Sequence, residues 1–585
     1  MLGKRSDQRG LFEADHLYLD FVGRDSFYGF LASQRGKLFR DEDFAKLYCL
    51  HNGCPSVPPC LLANALLLQT YDRVSDEEAK ARADFDLRWK VALGIEIDDR
   101  PFAKSTLQLF RSQLIINEEA GKVFKKSLAF ARQSGHLKNR KIKAALDTSN
   151  IFGRGAVKDT YNLLADGIVK LVGVLADLNS SRPEDWANAN SLSRYFTTTS
   201  IKGEANIDWG DAKARQKFLR GIVADADRLL ETARQTLTKY LPDSDEYKQL
   251  TEAAELLSQL LLQNIERQPE GASIKEGVAK DRLVSVHDPE MRHGRKSKSK
   301  LFDGHKAAVA VDTESQLITA VAVLAGNAPD NEKALELVEQ TEENAEVEVE
   351  ETIGDCAFGD GATRQKFADA GRTLVAKVPD RPDSGQFPKQ DFQIDLETMT
   401  CTCPAGEQCQ RVAPRGSRKD REGNSVPLQR FHFDPAVCDA CAMRSQCMKA
   451  GPGKGRTVTI HPQEKLLQEA RAFQKSEAFA PYRAARQTAE HRLARLMQLG
   501  MRQARYFGRV KTLFQLLMAA TVANLTLVAT KIGLMRARGS RKAHLFAHFL
   551  ARMIALLVGF TLSMAHVFRR NTSLPCAETG CRLGF

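Results

Sequence analysis

In Lys141-Ile142-Lys143-Ala144-Ala145-Leu146-Asp147, apolar Ile142, Ala144 and Leu146 alternate with their neighbours and lead into an acid. A period of two belongs to a strand with one buried face, so the stretch predicts a strand ending in Asp147. The chain before it, from 41 to about 135, predicts helices. Leu61, Leu62, Ala65, Leu66 and Leu68 form an apolar helical face behind the start signal Pro58-Pro59. Ser75 with Glu78 resembles a capping box, and Ser105 is placed to cap a third helix through Leu109, Phe110 and Leu114. Arg82, Arg88, Lys104 and Arg111 fall on polar faces. That suits a helix-turn-helix-like module, although the residues by themselves favour a plain helical bundle with solvated charges.

After Asp147 the spacing turns helical again from about Asp159 to Gly277, with Leu229, Leu230, Ala233 and Leu237, then Ala253, Leu256, Leu257 and Leu260. The block is long for a connection and predicts an inserted helical subdomain at about 160–280. His305 to Asp312 and Leu317 to Leu324 are strand-like runs joined by the polar turn Thr313–Gln316. An amphipathic helix from Asn331 to Glu343 follows, then a strand from Glu348 to Ile353 that ends at Gly354-Asp355. A helix from Gly361 to Ala370 and a strand from Thr373 to Val378 complete the pattern. The class this implies is α/β, a mixed sheet covered by helices. Residues 379–452 are rich in Pro, Gly, Cys and Arg, and Ala480 to Lys531 predicts a long helical stretch.

With 585 residues, two to four domains are expected; 43% hydrophobic and 27% charged residues exclude a disordered chain. The net charge of +12 favours a polyanionic partner, nucleic acid or an anionic membrane. Residues 1–30 lack the apolar run of a signal peptide. Ile554 to Phe568 is short for a membrane span and flanked by Arg552 and His566, so a buried helix and no membrane partner are expected. The 12 cysteines cluster unevenly, unlike a secreted disulfide framework.

Acids at neighbouring strand ends can converge although distant in sequence. Asp147 and Asp355 are such a pair, and hard divalent cations are held by a few carboxylates. Glu490 is a third candidate: Tyr482, Arg486 and Glu490 fall at i, i+4 and i+8 on one helical face. That spacing alone fits a metal-binding acid flanked by phosphate clamps, or an exposed helix with ordinary ion pairs. Arg292, Arg295, Lys296, Lys298 and Lys300 form a basic run before a strand, suited to tracking phosphates or to a solvated loop. Cys401, Cys403, Cys409, Cys438, Cys441 and Cys447 crowd the insertion, and the C-x-x-C pair Cys438/Cys441 suits tetrahedral zinc, with unligated thiols as the alternative. Basic residues from Arg411 to Arg430 separate its halves, as in a DNA-contacting loop.

Several of these stretches together resemble the DDE-class transposases of bacterial insertion sequences. Asp147-Thr148-Ser149-Asn150-Ile151-Phe152-Gly153-Arg154, onward to Tyr161, resembles the family's first-acid region, and Gly354-Asp355-Cys356-Ala357-Phe358-Gly359 its second. His287-Asp288-Pro289-Glu290-Met291-Arg292 to Lys300, Gly304-His305-Lys306 and Val311-Asp312 resemble its second and third strands. Glu490-His491-Arg492-Leu493-Ala494-Arg495-Leu496, with Gly500 to Gly508, Lys511 and Asn524, resembles the third-acid helix and its trailing basic motif. Arg88-Trp89 and Ser105 to Arg111 are similar to the N-terminal domain.

The resemblance implies a ribonuclease H-like catalytic domain over 139–585, with the helical insertion and a cysteine-rich insertion at about 379–452, behind an N-terminal helical DNA-binding-like domain at 1–138. It implies Asp147, Asp355 and Glu490 as catalytic ligands of two Mg²⁺ or Mn²⁺ ions, cleavage at the element's ends, and attack of the freed 3′-hydroxyl on target DNA. A catalytically inactive DNA-binding regulator and a nuclease that does not join strands are the alternatives. The family match adds Cys403 and Cys447 to Cys438 and Cys441 as zinc ligands. Arg295, Lys296, Arg486, Arg502, Arg505 and Lys511 are the expected DNA contacts. The implied partners are double-stranded DNA ends and target, on a homodimer or higher oligomer in a prokaryotic cytoplasm, at the nucleoid. Two departures stand out. The family's lysine after the glutamate has no counterpart among Arg495 and Met497, and Tyr482 sits one position from the usual tyrosine.

Overall fold

The computed structural model describes residues 1–5, 12–49, 52–269, 271–277, 279, 281–297, 299–379, 385–419, 423 and 425–533, so Ile554 to Phe568 lies outside the described residues. The centre is a sheet of six strands: β1 (Lys141–Phe152), β2 (Arg292–Arg295), β3 (Leu301–Asp312), β4 (Ile318–Ala325), β5 (Glu348–Ile353) and β6 (Thr373–Val375). Their order is β2-β3-β1-β5-β6, with β4 also pairing β3. β1, β2 and β4 run antiparallel to β3, whereas β5 lies parallel to β1 and β6 parallel to β5. The parallel half needs crossovers, and the helices Ala334–Ala345 and Gly361–Asp369 supply them.

The strands at 348–353 and 305–312 fall where alternation and β-branched content place them. Several expectations change, among them the strand predicted to Val378, which ends at Val375. β1 does not end at Asp147; Thr148 to Phe152 continue it, paired residue by residue with Ala308 to Gly304 of β3. The basic run is not a loop but begins as β2, whose hairpin with β3 carries Lys296. The helical stretch from Ala480 is interrupted. The helix Ala480–Leu496 passes into a π turn, Met497–Met501, where Gly500 takes φ 94°, a left-handed value that only glycine adopts without strain. A new helix then runs from Arg509 to Gly533. It is apolar and long enough to cross a membrane by composition, yet Leu516, Met518, Ala519, Val522, Leu525 and Val528 are buried in the protein.

The N-terminal region is helical throughout, from Ala14–Val22 to Ala120–Gln133. Ser75 caps Asp76–Phe85 by accepting from Glu78 N–H, but the next predicted cap is Ala103 rather than Ser105. The buried side chains of these helices and of the sheet form one continuous core. The helical insertion, chiefly Thr160–Leu178, Ala212–Leu237 and Asp245–Asn264, has a core of its own, closed by a hairpin of Ile265–Gln268 and Gly271–Ile274. A third, small core around Phe392, Phe431 and Phe433 holds the cysteine-rich lobe. That lobe includes β7 (Val412–Lys419), β8 (Ser425–His432) and β9 (Thr457–Ile460).

Candidate active site

The last register pair of the parallel strands β1 and β5 is Ala145↔Ile353. Two residues further along each chain stand Asp147 and Asp355, so strand alternation turns both acids to one face at the point where β5 leaves β1 uncovered. Asp355 keeps extended geometry (φ −78°, ψ −172°), and its Oδ1 accepts from the Ala357 N–H, opening the single turn Cys356–Phe358. The glycine before it has a packing reason, because a Cβ on Gly354 would stand 2.7 Å from Cβ of buried Phe358. Asp147 Oδ1 accepts from the Thr148 N–H at 2.8 Å.

Glu490 comes from the helix Ala480–Leu496, which lies against β1, β3 and β5. Ala489, Leu493 and Leu496 bury its inner face. Its first turn is pinned to the sheet: Tyr482 Oη donates to Glu351 of β5 at 2.9 and 3.0 Å, and Lys143 of β1 bridges to Glu351 at 2.6 Å. The Lys143 ammonium also stands 5.2 Å from the centre of the Tyr482 ring. Tyr482 therefore sets the helix on the strands and is occupied by protein. One turn later Arg486 pairs with Glu490 at 2.7 Å, with both side chains part-exposed.

The electrostatics tie the three acids together. The Asp147 carboxyl is pushed up to about 6, first by burial and then by the negative charges of Asp355 and Glu490, against the opposing pull of the Thr148 N–H and of Arg486. Among the described residues, the group whose ligand atoms all lie within 4.8 Å of one another is Glu13, Asp15 and His16. The Asp147 triad is more open. The tight group already has a cation of its own, because the Arg35 guanidinium lies 2.7 Å from Asp15 and 3.9 Å from Glu13.

The cations divide into two sets. Arg295 and Lys296 sit on a hairpin that overhangs the sheet, since β3 pairs with β1 only from Gly304 onward. Arg502 lies on the segment beside the end of β1, where Phe152 N–H donates to its carbonyl, and Lys511 lies on the first turn of Arg509–Gly533. All four side chains are exposed, with no acidic partner among the described residues. Arg486 and Arg505 are engaged. Arg505 gives Nη1 to the Val74 carbonyl at 2.9 Å and Nη2 to Asp76 at 3.1 Å. Asp76 also accepts from Arg111, Gln69 and Gln108. Tyr506 lies under both guanidiniums, 5.6 Å from Arg111 and 5.9 Å from Arg505. This strut ties the N-terminal helices to the segment behind the glutamate helix. Sequence reasoning missed Asp76, which lies 429 positions from Arg505. Its only local signal is its place in a helix's first turn.

Cys403, Cys438, Cys441 and Cys447 line one small cavity, closed by Phe433, Met448 and Arg456. The backbone N–H of Arg456 donates to Cys438 Sγ at 3.4 Å. The other two cysteines lie apart, facing each other on adjacent strands. Burial pushes the Cys401 thiol up to about 12, and Cys409 donates to the His432 carbonyl.

Two comparisons bear on identity. The family described as "Transposase DDE domain" matches residues 402–529, which take in the cavity cysteines, Glu490, Arg502 and Lys511. The family described as "Transposase domain (DUF772)" matches residues 20–113, which take in Asp76 and Arg111. No curated protein and no solved structure matches the chain. The order of the two matches, an N-terminal transposase domain before a DDE domain, is the order that the motifs imply, and together the matches indicate a DDE transposase of an insertion sequence.

Proposed function

We propose that this transposase binds the ends of its element, cleaves them and joins the freed 3′-hydroxyls to target DNA, with Asp147, Asp355 and Glu490 as its metal-binding acids on a ribonuclease H-like core. The observation that carries the reading is Asp147: a carboxyl of pKa about 6, beside two further carboxylates and short of compensating charge. Such a donor set fits magnesium or manganese, hard cations that take oxygen ligands. When bound, the metal supplies a Lewis acid for activating water or a sugar hydroxyl at phosphorus.

The chain's own groups do the rest. Arg486 holds the Glu490 carboxylate in place and stands ready for an incoming phosphate oxygen. Arg295, Lys296, Arg502 and Lys511 are free to contact DNA backbone. The strand order, with three antiparallel strands followed by two parallel ones, supports the ribonuclease H-like assignment. The partition into 1–138 and 139–585 and assembly as a homodimer or larger on DNA belong to the same proposal.

The test is a cleavage and strand-transfer assay with magnesium on duplexes carrying the element's ends. Asp355→Ala should lose both products and keep end binding. Magnesium-dependent cleavage retained in Asp355→Ala would overturn the assignment, and cleavage without joining in the unaltered protein would leave a nuclease.

We further propose that Cys403, Cys438, Cys441 and Cys447 hold a structural zinc ion. Four thiols around one cavity are the donor type that metal takes, and binding would draw together sulfurs of which no three now lie within 4.8 Å of one another; the metal would contribute binding energy to folding. Protein purified without chelator should carry close to one equivalent of zinc per chain. Cys438→Ser should lose it and loosen the lobe, leaving the sheet folded. Less than about half an equivalent would make these cysteines ordinary thiols.

A further inference from the structure

The cysteine-rich lobe sends out a two-stranded ribbon. β7 and β8 pair from Val412↔Phe431 to Lys419↔Ser425, with a bulge between Pro414 and Gly416. β9 covers only the root, pairing with Gln429 to His432. There Phe431 and Val458 are buried, and the Cys409 thiol donates to the His432 carbonyl at 3.0 Å. Past Gln429 both edges lack a neighbouring strand among the described residues, and Ser417, Lys419, Ser425 and Pro427 are exposed. At about 3.3 Å per residue the arms are roughly 25 Å long, and about half of that projects beyond the root.

A two-stranded ribbon by itself is marginal in water, and its open edges invite aggregation. Here the sequence of the arm carries charge. From 411 to 430 the chain has Arg411, Arg415, Arg418, Lys419, Arg421 and Arg430 against Asp420 and Glu422, six cations less two anions, a net +4. Arg415 is the bulged residue, and its Nη1 donates to the Thr459 hydroxyl at 2.8 Å. Among the described residues no acid pairs with Arg411, Arg415, Lys419 or Arg430.

We propose that the β7–β8 ribbon is a DNA arm that lies in the major groove of duplex DNA, its cations on the bordering phosphates. The inference rests on the transposase reading and deepens it by naming a second contact surface, separate from the carboxylates. The major groove is about 12 Å wide and admits a two-stranded ribbon, and phosphates are the complement of a +4 arm. The zinc lobe becomes the rigid mount of the arm, which gives its small core a purpose.

The experiment uses the full-length protein and a random-sequence duplex. Affinity is measured across a salt series for the unaltered protein, for Arg411→Ala/Arg415→Ala/Lys419→Ala, for the charge-keeping Arg411→Lys/Arg415→Lys, and for Arg502→Ala/Lys511→Ala. Each lost phosphate contact removes about 0.9 from the slope of log affinity against log salt. The triple alanine variant should lose about 2 to 3 in slope and at least tenfold in affinity, and the lysine variant should keep the slope. Protection of guanine N7, which faces the major groove, should disappear with the triple variant. Unchanged slope and affinity in the triple variant, with weaker binding in the Arg502/Lys511 variant, would refute the arm and leave the transposase reading standing. Loss of slope without any N7 protection in the unaltered protein would refute the groove placement. Equal binding of a single strand, with the triple variant unaffected, would do the same. No duplex binding by the unaltered protein would sink the arm and the reading together.

Discussion

Asp147→Asn is expected to abolish DNA cleavage and, at the same time, to make the metal-free protein more stable. Both effects come from one carboxyl. Its pKa of about 6 in the folded chain stands above the ordinary 3.8, because burial and the charges of Asp355 and Glu490 disfavour the anion. Below the unfolded value the carboxyl is protonated in both states and contributes nothing. Between the two values the folded state binds more protons, so stability falls as pH rises. Above pH 6 the full cost is present, at most about 3 kcal/mol.

Asparagine has nearly the same volume and keeps an oxygen for the Thr148 N–H, but it carries no charge. Thermal unfolding in chelator at pH 8 should show Asp147→Asn melting several degrees higher, and the gain should vanish as the pH is lowered through 6 towards 4. Magnesium should stabilise the unaltered protein and leave the variant unmoved. Cleavage should fall at least about a thousandfold, roughly 4 kcal/mol of barrier, because a neutral amide cannot replace the anionic ligand. A variant less stable than the parent in chelator at pH 8 would mean that the acids are already compensated, and the central argument for a metal centre would fail.

The second large effect is expected at Asp76, far in sequence from any acid of the triad. Its carboxylate accepts from Arg111, Gln69, Gln108 and Arg505, and the side chain is 17% exposed. Asp76→Ala leaves the largely buried Arg111 guanidinium without its acid. Removing one partner of such a pair costs several kcal/mol, reduced here because Arg505 reaches solvent; about 2 to 3 kcal/mol is expected. Burial works against the Asp76 anion, but the hydrogen bonds from Arg111, Gln108 and Gln69 outweigh it and hold the carboxyl below the usual range. Its contribution is present above the unfolded value and lost as pH falls towards the folded one. Urea unfolding at pH 7 should show the loss, and the deficit of Asp76→Ala should shrink in acid. DNA binding should weaken too, since the segment bearing Arg502 loses its tie to the N-terminal helices. Stability within about 0.5 kcal/mol of the parent would show that the strut is a surface contact.

Some of this was legible because it is local. Glu348 to Ile353 and the start of β1 are written in alternation and β-branched residues, and the strand limits of β5 follow residue for residue. That Cys438 and Cys441 face one cavity follows from their spacing on one turn. The continuation of β1 was not legible. Thr148, Ser149 and Asn150 are polar and only half-buried, so nothing in them favours a strand. They are held by β3, more than 150 positions away. Nor was the break at Gly500 legible, since the helical spacing on either side of it is intact.

What the sequence by itself determined is the inventory and the local geometry. It set which segments alternate, which residues are acids, where the thiols stand, and that the net charge suits a polyanion. What only the tertiary structure decided is which of those groups are free. Arg502 and Arg505 are indistinguishable in sequence context, yet one stands in water and the other is held by Asp76 and the Val74 carbonyl. Arg486 faces its own Glu490, and Tyr482 is taken by Glu351. The physical reason is that charge and hydrogen bonding act through space. A side chain's spare valence depends on every element folded against it, and that information appears only when the chain is closed.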